Sequence, residues 1–98
     1  MRTRSLAAAL EDVRTARRWY LRERGRRPAE DFGRAYRETR AQIRRWPRSG
    51  QEVDSGIRRM LVEGFPYEVI YRVRGNFAEI VAVAHSSRQP GYWRDRTS

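Results

Sequence analysis

Leu6, Ala9, Leu10, Val13, Ala16 and Tyr20 recur at three- and four-residue intervals, an apolar stripe about four turns long. The stripe predicts a first helix, with Ser5 as its N-cap and Gly25 just past its end. Pro28 stands where a second helix has its N1 position, and Glu30 and Asp31 suit its positive end. Ala29, Phe32, Ala35 or Tyr36, Thr39, Ile43 and Trp46 form the second stripe, which Pro47 stops. Only Gly25–Arg27 joins the two, so they predict an antiparallel helical hairpin.

Beyond residue 50 the period shortens to that of a strand. Residues 57–62 are β-prone but irregular. Tyr67, Val69, Tyr71 and Val73 alternate with Glu68, Ile70 and Arg72, which reads as a half-buried strand with Pro66 at its start. Gly75-Asn76 signals a tight hairpin. Phe77–His85 follows, almost continuously apolar from Ile80 to Ala84, and reads as a central strand covered on both sides. The architecture expected is α+β: a helical hairpin packed on a small, mainly antiparallel sheet of three to four strands. A fourth strand could only come from Arg2-Thr3-Arg4-Ser5, which has little to build a core with.

Length and composition narrow this further. Ninety-eight residues without repeat or linker allow one domain, residues 1–98. Eleven aromatic residues (three Trp, five Tyr, three Phe) are too many for a disordered chain. The absence of cysteine excludes a disulfide scaffold and Cys-ligated zinc. Leu6–Leu10, closed by Glu11 and Asp12, is shorter than the roughly 7–15 apolar residues of a signal peptide, and no window approaches the ~18 of a membrane span. The expectation is a cytoplasmic protein that does not enter the membrane.

The net charge of +10 changes the picture more. All 22 basic residues are Arg, a side chain suited to phosphate, carboxylate and aromatic partners. Residues 1–50 hold 15 Arg and six acids, a net of +9, whereas residues 51–98 hold seven Arg and six acids, a net of +1. Arg14, Arg18 and Arg22 stand four apart on the first helix, and Arg37, Arg40, Arg44 and Arg48 run along the second. With few acids nearby, such faces point to a binding partner, a protein in preference to nucleic acid. Trp93, Arg94 and Arg96 in the basic, turn-rich tail are further partner-binding candidates.

Acid–base chemistry has few supports. His85 is the only histidine, a lone imidazole near Arg88 and Tyr92 that serves either as a base or as a structural hydrogen-bonding group. Tyr92 and Trp93 between Arg88 and Arg94 could stack on a base or close the core. No His, Cys or acidic cluster has metal-ligand spacing, and there is no P-loop, no dinucleotide fingerprint and no activated nucleophile. No cofactor is called for.

Taken in order, several segments resemble one family. Ala9-Leu10-Glu11-Asp12 with Ala16 and Trp19-Tyr20 resembles the first helix of ParE/RelE-type toxins of bacterial toxin–antitoxin pairs. Phe32, Ile43 and Trp46-Pro47 fit the second helix, and Ile57-Arg58-Arg59, Phe65-Pro66-Tyr67, Val69-Ile70-Tyr71 and Val81–His85 resemble the strands. Arg88-x-Pro90 with Trp93 and Arg96 is similar to the C-terminal signature of the ParE-like branch. The family usually opens on an apolar strand, so here the resemblance implies a first strand that is short or missing before residue 6.

By resemblance, such a toxin arrests growth by binding a host target, DNA gyrase in the ParE-like branch, and is neutralised by a cognate ParD-like antitoxin in a hetero-oligomer. The alternative is a ribosome-dependent mRNA endoribonuclease, with Arg59, His85, Arg88 and Tyr92 as candidates for the reacting groups, and Arg58 an alternative to Arg59. RNA-cleaving relatives need a basic cluster on the sheet. Where their pattern has basic residues, this chain has Glu68 and Ser86, which argues against cleavage and for an inhibitory binding protein rather than an enzyme.

Overall fold

The computed structural model describes residues 1–97. Strand β1 (Arg2–Ser5) leads into helices α1 (Ala7–Arg24) and α2 (Arg26–Arg45), followed by β2 (Gln51–Asp54), β3 (Ile57–Leu61), β4 (Tyr67–Arg74), β5 (Phe77–His85) and a 3₁₀ segment, Tyr92–Thr97. The sheet order is β1-β5-β4-β3-β2, with β1 parallel to β5 and every other pair antiparallel.

Five strands therefore replace the three to four expected. The opening strand is present, although Arg2–Ser5 offers no apolar face. It is an edge strand whose pairing is carried by the backbone, and Leu6 N–H continues it by donating to the Ile80 carbonyl (3.0 Å). Its side chains are tied from outside: Arg4 lies over the Phe77 ring, and Arg40 of α2 donates to Thr3 Oγ1 (2.9 Å). The strand missed altogether is β2, the opposite edge, where only Val53 is half-buried and alternation has nothing to register.

Helix α1 buries Ala9, Ala16 and Tyr20, with Val13 packed beside them. Leu10 was expected in this stripe but is 39% exposed, because it sits one residue off the 9–13–16–20 spacing. Ser5 does not cap the helix either: it is engaged in β1, and Leu6 holds the N-cap position without a side-chain bond. The joint is Gly25 alone, shorter than expected. Its φ of 100° lets it close α1, donating to Tyr20 O (2.9 Å), while its own carbonyl accepts from Ala29 (3.3 Å) to open α2. Pro28 consequently sits at the third position of α2, still within the turn whose N–H groups lack helical partners.

Helix α2 buries Ala29, Phe32, Gly33, Tyr36, Thr39 and Ile43, whereas Trp46, past the last core position, is 60% exposed. Phe32 stacks on Tyr20 (5.5 Å), and Phe65 and Tyr67 meet this pair edge-on from the sheet side. These residues join Val69, Tyr71, Ala78, Ile80 and Val83 in the larger core, between hairpin and sheet.

The other sheet face carries a smaller core of Ile57, Ile70, Val81, Ala82 and Trp93. A bulge explains why two successive β5 residues both belong to it. Ile70 pairs with Ala82 and Tyr71 with Ile80, leaving Val81 as the extra residue and turning it and Ala82 to one side. The expectation that β5 is covered on both faces holds: Val81 to Ala84 are all buried. Gly75-Asn76 forms the expected two-residue turn, with Gly75 at φ 60°.

Candidate functional site

The four residues singled out for acid–base chemistry converge. Arg59 from β3, His85 at the end of β5, and Arg88 and Tyr92 from the tail line one cleft of about 300 Å³ over the smaller core. Glu68 from β4 lines it too.

Within that cleft each candidate is already engaged. Arg59 donates to Glu68 Oε2 (3.1 Å) and, from Nε and Nη2, to Gln51 Oε1 (2.9 and 2.7 Å). Its alternative, Arg58, donates to the Arg48 and Gly50 carbonyls and so fastens the loop after α2. His85 Nδ1 accepts from the Ser87 backbone N–H (3.0 Å), and its ring stands edge-on to Tyr67 at 5.0 Å. The imidazole is thus a turn-closing group at the end of β5. Arg88 lies over the Tyr92 ring at 4.0 Å and forms no ion pair among the described residues. Burial and the nearby Asp12 raise the Tyr92 hydroxyl above its ordinary range, so it does not supply a phenolate near neutral pH. One cation free of acids and one carboxylate are a poor match for a scissile phosphate.

The tail residues proposed as partner contacts are drawn into the fold. Trp93 is 5% exposed and fills the smaller core. Arg94 pairs with Asp54 (3.2 Å), and Arg96 with Asp12 of α1 (2.7 Å). Asp12 receives four groups: two nitrogens of Arg96, the Val83 N–H at 3.0 Å, and the Tyr92 hydroxyl at 3.5 Å. Arg96 Nη1 also donates to the Val81 carbonyl (3.1 Å). These are the backbone groups of β5 that β1, ending opposite Ile80, leaves uncovered. The pattern Asp12…Arg96 carries no local signal of this, because the partners are 84 residues apart.

On the hairpin, Arg14 and Arg18 share Glu11 (3.7 and 2.7 Å), and Arg22 meets Glu23 (3.4 Å). Arg40 is spent on Thr3 and the Tyr36 ring. Arg37 and Arg44 are exposed and have no ion pair among the described residues. Arg17, absent from the four-residue spacing that picked out its neighbours, is likewise exposed and unpaired. No group of three or more His, Cys, Asp and Glu among the described residues could hold a metal ion, and no helix there is long and apolar enough to cross a membrane.

Comparison with known proteins agrees with this architecture. A solved structure described as the chromosomal ParDE TA system from P. aeruginosa superposes with a TM-score of 0.77 at 18% identity, covering 87% of this chain and 95% of that one. At that identity the likeness is one of fold. No curated protein sequence matches the chain. The profile of the ParE toxin of type II toxin-antitoxin system, parDE, matches residues 5–90, from the end of β1 to the last turn before the 3₁₀ segment. Over that span, and with this fold, the chain belongs to the ParE toxin family of type II toxin–antitoxin systems.

Proposed function

We propose that this toxin, acting as one domain in the cytoplasm, arrests growth by stoichiometric binding to a host target, DNA gyrase, and not by cutting RNA. The observation that carries this reading is the Arg59–Glu68 ion pair in the sheet cleft. A phosphate entering there would meet a carboxylate that already holds the guanidinium, and His85, Arg88 and Tyr92 are each committed to a structural contact. Electrostatic preorganisation for phosphoryl chemistry needs the opposite arrangement, donors held ready and free of acids.

The same family membership supports neutralisation by a ParD-like antitoxin in a hetero-oligomer, and the basic helical hairpin is the surface best suited to it. Supercoiling by purified gyrase tests the target. Addition of the full chain should suppress supercoiling at concentrations near that of the enzyme while a translation extract keeps its activity. Unaffected supercoiling together with inhibited translation would assign the target to the ribosome.

A further inference from the structure

Arg17 of α1 and Arg37 of α2 close on one point. A Cβ at Gly33, buried in the seam between the helices, would lie 3.4 Å from Arg37 Nη1 and 3.5 Å from Arg17 Nε. The two nitrogens are therefore no more than about 7 Å apart. Most of the flanking guanidinium groups have an acceptor: Arg14 and Arg18 share Glu11, Arg26 uses Glu30, Arg34 uses Asp31 and Arg40 uses Thr3, while Arg44, further along α2, has no ion pair among the described residues. Arg17 and Arg37 have none among the described residues. Two like charges held together without a counter-charge repel, and an oxyanion between them relieves that repulsion.

The notch also joins two grooves. Arg17 edges one of about 410 Å³ that contains Val13, Leu21 and Ala29, and Arg37 edges one of about 270 Å³ with Thr3 and Arg44. Leu21 is 56% exposed there. We infer that the Arg17–Arg37 notch over Gly33 is a carboxylate site, occupied by an acidic segment of the antitoxin whose neighbouring apolar side chain covers Val13, Leu21 and Ala29. This rests on the toxin–antitoxin reading above. A nucleic-acid backbone fits worse, because it presents phosphate after phosphate to a rim that includes Glu30 and has nothing to place on Leu21. The site needs one or two negative charges and an apolar neighbour, as a short amphipathic acidic segment provides.

Two measurements on the full chain test the inference. In the first, sodium acetate is titrated against sodium chloride at constant ionic strength while arginine Nε–Hε signals are followed by NMR. Saturable shifts confined to Arg17 and Arg37 are expected, and uniform shifts of all arginines would overturn the site. In the second, the affinity of the co-expressed antitoxin is measured. Arg17→Gln with Arg37→Gln should weaken it about 10- to 100-fold, and Arg45→Gln, off the track, by less than about threefold. Gly33→Ala fills the notch yet favours the helix, so binding should fall while the unfolding midpoint holds or rises. Equal antitoxin affinities of the double variant and the unaltered chain would overturn the site and leave the toxin reading intact. A failure of any antitoxin to bind the unaltered chain would instead sink that reading, and the acetate titration would still report on the notch. A short DNA duplex displacing acetate from the two arginines more effectively than the antitoxin would overturn the protein occupant.

Discussion

Asp12 and Arg96 form a two-point ion pair, at 2.7 and 3.3 Å, that fastens the C-terminal segment to the first helix across the uncovered edge of β5. Both side chains are about four-fifths buried, and each also satisfies a β5 backbone group, Val83 N–H and Val81 C=O. The hydrogen bond to Asp12 holds Arg96 even further above its ordinary titration range. Asp12→Ala leaves a largely buried guanidinium and a backbone donor unmatched and should cost about 2–4 kcal/mol. Arg96→Ala should cost less, since Asp12 keeps Val83 N–H and Tyr92. A double-mutant cycle by urea unfolding should return a coupling of roughly 1–3 kcal/mol, and additive effects would show that the pair contributes nothing beyond its parts.

Gly50 is fixed by contact. A Cβ there would lie 2.3 Å from the Tyr71 hydroxyl and 2.7 Å from the Arg59 carbonyl, while its N–H donates to that hydroxyl (3.1 Å), which in turn donates to Pro47 O (2.8 Å). Gly50→Ala should destabilise by about 2–4 kcal/mol, and Tyr71→Phe, which strips the loop of both bonds, by about 1–3 kcal/mol. Removing the hydroxyl also relieves part of the clash. Chemical denaturation of the combined variant should therefore show less than the sum of the two losses.

Burial raises Tyr36 above the ordinary tyrosine value of 10.0, and Tyr20, Tyr67, Tyr71 and Tyr92 shift the same way. A raised folded-state value means the folded protein holds its protons longer than the unfolded chain. The stabilisation is therefore complete below pH 10.0 and is lost as the pH climbs through the folded values. Thermal unfolding midpoints should be level between pH 8 and 9 and fall above about pH 10, with Tyr36→Phe flattening part of the decline. A midpoint unchanged up to pH 11 would contradict burial of these hydroxyls.

Trp93 completes the smaller core. Trp93→Ala should cost about 3–5 kcal/mol and expose the sheet face beneath the tail, readable as lost tryptophan fluorescence contrast and earlier proteolysis after Pro90. Trp46→Ala, on an exposed indole, should leave the unfolding midpoint nearly unchanged.

Those parts of the fold whose side chains repeat with a period could be read directly: both helices, β4 and β5. Edge strands β1 and β2 escape such reading because backbone pairing alone forms them, and Arg2–Ser5 and Gln51–Asp54 present almost no apolar face. The bulge at Val81 is equally silent, since a run of apolar residues looks the same with or without an extra member. Of the site, Arg59, Arg88 and Tyr92 were legible only through the family resemblance, His85 also as the only histidine, and Glu68 as the acid where the family's pattern has a basic residue. The Asp12–Arg96 clasp and the Arg17–Arg37 notch were not, because each joins residues distant in sequence and no local pattern marks them.

The direct test of an inhibitor that binds and does not cut is to express the chain alone and map mRNA 5′ ends as growth stops. Intact transcripts during arrest, with arrest unaltered by Arg59→Ala and His85→Ala, are the expected result. Ribosome-dependent cuts that disappear with Arg88→Ala and Tyr92→Phe, together with the arrest, would contradict it.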